Sequence, residues 1–284
     1  MEETQPKAWM SVSLRVGIFA FLEIIGLVVF AWVMMPVAGL LATAALSTFA
    51  AAAVANAVAL RIYERARLAD IGLGWGADSF RNLALGFGGG AGAALIVLLL
   101  PLAARVAEIR PDADNPGNWG SFAFLSLVLL FGAVGEEMLF RGYGFQVLLA
   151  SVGPFATILP VGVLFGFAHT GNQNSMWLGL VNTMLWGFLF GWAFLRSGDL
   201  WLPIGIHYGW NLLLPLAGVN LSGFKMGVTG YKMHWFAGLL WSGGDYGPEA
   251  SLLTTAVVGA LFLYLWRAPI RKQSAYLLRG MEED

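Results

Sequence analysis

The sequence predicts an all-α fold, a polytopic transmembrane bundle of about eight spans. Three observations carry this. Of 284 residues, 58% are hydrophobic and 12% charged, where a soluble domain is about a quarter charged and under half apolar. Mean hydropathy is +0.71, so the polar residues cannot cover a water-facing surface of this size. The apolar residues also fall in runs of about twenty, enough for a helix to cross ~30 Å of hydrocarbon.

Hydropathy and flanking breakers delimit eight apolar segments, at 12–35, 37–60, 80–103, 121–149, 154–169, 175–196, 200–218 and 250–268. The first follows a polar stretch, MEETQPKAWM, is longer than a signal-peptide core and has no small-residue cleavage site after it, so a retained helix is expected. The third carries Gly88-Gly89-Gly90, part of a glycine-rich composition (37 residues) expected where membrane helices approach through small side chains. The connections are short except 61–79, 104–120 and 219–249. The chain divides accordingly into three N-terminal spans (1–120), a core (121–218), and a loop, last span and tail (219–284).

Charge supplies an orientation. Lys7 precedes the first segment, Arg61, Arg65 and Arg67 follow the second, Arg196 the sixth, and Arg267, Arg271, Lys272 and Arg279 the eighth. With eight spans and both termini cytoplasmic, all of these fall inside, as the positive-inside rule requires. The expected location is an integral protein of the cell (inner) membrane. A net charge of -1 offers no surface for nucleic acid. The absence of Cys excludes disulfides, a thiolate nucleophile and thiolate-ligated metal.

An ionisable side chain in a membrane helix is costly and marks function or a specific pairing. Segment four holds Glu136, Glu137 and Arg141, segment five ends at His169, and segment seven holds His207 and Asn211. At about 100° per residue, Glu136 and Glu137 point to different faces, while Glu137 and Arg141 share one. That pair can neutralise itself, leaving Glu136 free. His207 and Asn211 form one stripe, and Phe165 lies on the His169 face. Taken singly, a Glu–Arg pair is ordinarily structural and a membrane His can bond a carbonyl. Glu23 and Arg15 read as snorkelling or interhelical contacts, His234 as a surface histidine, and the 12 Trp mostly as interface anchors. The six-residue combination is what these readings explain poorly.

The motifs Glu136-Glu137-x-x-x-Arg141, Phe165-x-x-x-His169 and His207-x-x-x-Asn211 occur in that order. In this the chain resembles the CPBP family of intramembrane proteases, which includes type II CAAX prenyl endopeptidases and Abi-like proteins. The likeness covers roughly 121–215. It implies an endopeptidase in which Glu136, assisted by His169, activates water. Glu137 and Arg141 would hold the motif helix, and His207 with Asn211 would stabilise the oxyanion. Glu136, His169 and His207 also make a plausible set for a divalent metal such as zinc with one position left for water; a metal-free water uses the same residues. The partners implied are a peptide or protein substrate reached from the membrane, and the lipid bilayer.

Two other classes remain: a transporter or channel using the same charges, for which no inverted repeat is evident, and a non-catalytic immunity-type membrane protein. There is no His-Glu-x-x-His and no Gly-x-Ser-x within a span, and Gly243-Gly244-Asp245 sits in a loop. One conflict is carried forward. With segment four as one helix, Glu136 lies mid-depth while His169 lies at the outer end of segment five.

Overall fold

The structure is a computed structural model and describes residues 8–273, 275, 277 and 278. Lys7 and Arg279, used above for orientation, lie outside the described residues. The first two segments form α1 (Ala8–Tyr63), whose helical geometry is interrupted at Gly39 (φ 72°, ψ 170°). A residue with a side chain resists that φ, so glycine sets the reversal. The break therefore falls three residues beyond Pro36, which stays helical at the end of the first arm. The arms fold back on each other: a Cβ at Gly26 would lie 2.9 Å from that of Ala51. Arg15 closes the pair of free ends with an ion pair to Glu64. Trp32 and Val37 are 80% and 87% exposed; large apolar groups left so open along α1 face lipid.

Then come α2 (Ala77–Ala103), strand β1 (Ala107–Pro111), α3 (Trp119–Arg141) and α4 (Tyr143–Val152). They are followed by α5 (Pro154–Ala168), α6 (Trp177–Ser197) and α7 (Trp201–Leu213). Strand β2 (Tyr231–Trp235), the single turn α8 (Leu239–Ser242) and α9 (Leu252–Arg267) complete the order. By length and composition α1, α2, the stretch Trp119–Val152 and α6 can each cross a membrane, while α5 and α9 are shorter apolar helices. The chain is thus an all-helical membrane bundle with one exception. The two long loops pair as an antiparallel ribbon, from Ala107↔Trp235 to Pro111↔Tyr231. His234 stands there opposite Glu108.

The site is held mainly by α2 against α7, the most extensive helix pair among the described residues. Gly86 and Gly90 of α2 meet the backbone of Leu202 and Ile206, and Gly205 and Gly209 of α7 meet that of Leu83 and Phe87. Each helix therefore presents a small-xxx-small stripe, and the backbones touch with no room for a Cβ. Gly90→Ala is expected to destabilise by about 1–3 kcal/mol through overpacking. Gly88→Ala is the control, since a Cβ there meets nothing within 4 Å, and melting in detergent compares the two.

The polar residues of α1 differ from expectation. Glu23 does not snorkel: it is 2% exposed, with neither carboxylate oxygen hydrogen-bonded among the described residues. Arg15 does make interhelical contacts, to Glu64 and to the Tyr143 hydroxyl at 2.8 Å.

Candidate active site

Segment four is two helices, which removes the conflict over depth. α3 ends at Arg141, and Gly142 leaves helical geometry (φ −74°, ψ −144°). Asn56 of α1 secures the break from both sides: its Nδ2 donates to the Met138 carbonyl at 3.1 Å, and its Oδ1 accepts from the Tyr143 N–H at 2.7 Å. Glu136 and Glu137 thus sit near the end of α3 rather than in the middle of a long span. His169 caps the C-terminal end of α5, and His207 and Asn211 project from α7.

Glu137 and Arg141 are both completely buried, with an Nη1–Oε2 separation of 3.3 Å. Arg141 Nη2 also donates to the Gly187 carbonyl of α6 at 2.8 Å. Its guanidinium lies 4.9 Å from the Phe165 ring centroid and 5.2 Å from that of Phe190, a cation–π setting that suits a desolvated cation. The pairing read from spacing is present, and Glu137 has a second partner. Its Oε1 is 2.9 Å from His207 Nδ1, while Phe190 stacks on the His207 ring at 4.9 Å. The imidazole is held in its plane and along its edge.

His169 Nδ1 lies 2.8 Å from the Phe165 carbonyl. A carbonyl only accepts, so in the neutral ring Nδ1 carries the proton and Nε2 presents its lone pair. The Nε2 atoms of His169 and His207 are each 3.8 Å from the same oxygen, Oε2 of Glu136, and that oxygen has no hydrogen-bond partner among the described residues. The distance is too long for a direct hydrogen bond and suits a bridging water. Among the described residues no three His, Asp or Glu groups are placed to hold a metal ion together. The donor chemistry still suits one: two imidazole Nε2 atoms, each with Nδ1 engaged by an acceptor, and one carboxylate oxygen.

A cavity of about 310 Å³ holds Glu136, His169, His207 and Asn211. It has two limbs. Between α1 and α3 it is apolar, walled by residues such as Leu27, Leu41, Val128 and Leu129. Toward the 219–249 loop it is polar, with Asn172, Ser222 and Glu249. Sequence reasoning missed Glu249, because a carboxylate at a loop end is unremarkable. It is 9% exposed. Its Oε1 accepts from Trp210 Nε1 at 3.1 Å, and its Oε2 accepts from the Ser222 hydroxyl at 2.9 Å and from the Ser222 N–H. Burial pushes this carboxyl above the ordinary carboxylate range, while those donors and nearby His169 pull it down. The signal that could have found it is a carboxylate set directly against the start of an apolar helix.

Fold and site together define a helical membrane protein with a carboxylate–imidazole cluster inside the bundle. Residues 118–213, from the start of α3 to the end of α7, match the family model described as Type II CAAX prenyl endopeptidase Rce1-like. All six motif residues lie inside that match; Glu249 and the loop above the cavity lie outside it. No curated protein matches the chain.

Proposed function

We propose that this chain is an intramembrane endopeptidase of the CAAX type, hydrolysing a peptide bond with water activated by Glu136 and His169. One observation carries the reading: two imidazole Nε2 atoms converge on a single unpartnered carboxylate oxygen inside a cavity. Glu136 takes a proton from water as its oxygen bonds to the scissile carbonyl carbon, and the carbonyl π pair moves onto oxygen. Asn211, and His207 when protonated at both nitrogens, donate to that oxyanion. Glu137 and Arg141 then balance the charges, with two carboxylates facing one guanidinium and one imidazolium. As the C–N bond breaks, the proton held by Glu136 passes to the leaving nitrogen, giving a carboxylate and an amine.

A divalent cation such as zinc on Glu136, His169 and His207 is a second form of the same proposal, favoured by the engaged Nδ1 of both rings. Bound there it would polarise the carbonyl and acidify a bound water. The substrate is a peptide or protein segment reached from the bilayer, its apolar part lying between α1 and α3. The chain would sit in the cell membrane with its Arg-rich end and both termini cytoplasmic.

The test uses detergent-purified protein with two fluorophore–quencher peptides, one a farnesylated CAAX sequence and one an unprenylated apolar sequence. Wild type is expected to cleave at least one, and His169→Ala neither, at unchanged monodispersity. Folded wild type inert on both peptides would sink the proposal. Metal content of wild type, His169→Ala and His207→Ala separates its two forms: stoichiometric metal lost in both variants means a metal-bound water.

A further inference from the structure

The cavity carries two carboxyl groups and no opposing charge. Glu136 stands at its centre and Glu249 on the wall of its polar limb, and no Lys or Arg is among the described residues that line it. The nearest guanidinium, that of Arg141, is buried behind the wall and engaged by Glu137 and the Gly187 carbonyl. Glu249 is fixed in place, since Trp210 and Ser222 hold both of its oxygens.

A substrate cut three residues from its C-terminus carries a free carboxylate within about 10 Å of the scissile bond. That carboxylate must lie in the cavity or at its mouth. In the polar limb it meets Glu249 at low dielectric, where like charges repel strongly. In the apolar limb it meets Leu27, Leu41, Val128 and Leu129, which offer no donor to replace its water. Both limbs disfavour it. Specificity built from a repulsive element is a common device, and Glu249 occupies the place for one here.

Resting on the endopeptidase reading above, we propose that Glu249 makes this site select against a free C-terminal carboxylate near the scissile bond. The favoured substrate is a peptide that is neutral there, either because the chain continues or because the position carries no charge. The geometry thus assigns internal cleavage rather than trimming of a terminal tripeptide.

The experiment compares one peptide in three forms: free acid, C-terminal amide, and extended by six neutral residues. Wild type is expected to show kcat/KM at least tenfold higher for the amide and the extended form than for the acid. Glu249→Gln is expected to bring the amide-to-acid ratio toward one. Equal kcat/KM for acid and amide in wild type overturns the proposal without any variant having to fold. A preference that persists unchanged in folded Glu249→Gln overturns the role of Glu249. Cleavage of none of the three forms instead counts against the endopeptidase reading itself.

Discussion

Glu136→Gln should lower cleavage by a factor of about 10²–10⁴, the range that a positioned general base contributes, and leave the protein folded. Both halves follow from the position of the side chain. Its Oε2 accepts no hydrogen bond among the described residues, and the side chain is 29% exposed to the cavity. An isosteric amide therefore breaks no structural contact. What it removes is the capacity to take a proton from water and return it to the leaving nitrogen. The two imidazoles and Asn211 remain, so residual cleavage is expected from oxyanion stabilisation and substrate positioning. Initial rates beside a melting curve in the same detergent check both halves. Wild-type rates in a folded variant would remove Glu136 from the mechanism.

Arg141→Met should have the opposite profile, with a loss of about 3–5 kcal/mol in stability. That is the usual consequence of removing one partner of a buried ion pair. Three attachments go at once: the contact with Glu137, the hydrogen bond to Gly187 that ties α3 to α6, and the packing of the guanidinium among Phe140, Phe165 and Phe190. Methionine has roughly the volume to fill the space, so the dominant loss is electrostatic. The double variant Arg141→Met, Glu137→Gln discriminates. Stability should recover in part, because no uncompensated charge stays buried. Activity should not, because His207 loses the carboxylate that orients its ring at 2.9 Å. Fluorescence-detected chromatography after heating measures the first quantity and peptide cleavage the second.

The sequence was legible where the physics is local. Apolar runs announced the helices, and four-residue spacing found the Glu137–Arg141 pair. The intramembrane charges picked out Glu136, His169 and His207, which meet within 3.8 Å. Hydropathy could not see Gly142, since one glycine barely alters an average over twenty residues. The break there is sealed by Asn56, a residue 86 positions earlier in the numbering. The ribbon β1–β2 was equally hidden, because each five-residue strand is marginal alone and finds its partner across most of the chain. Glu249 was invisible for a related reason: its meaning comes from Trp210 and Ser222, brought to it only by the fold.

The ribbon has a consequence for the order in which the molecule is made. β1 lies at 107–111 and its partner at 231–235, so the pairing waits until nearly the whole chain has left the ribosome. Non-local pairings of this kind are slow, because the intervening loop must close before any contact rewards it. By then the helices that carry Glu136, His169 and His207 have already been synthesised. The polar limb, bounded by Ser222 and Glu249, is completed last. During biogenesis the nascent molecule therefore passes through a stage with its reactive groups assembled and one wall still missing, and the discrimination assigned to Glu249 begins only when synthesis has nearly ended.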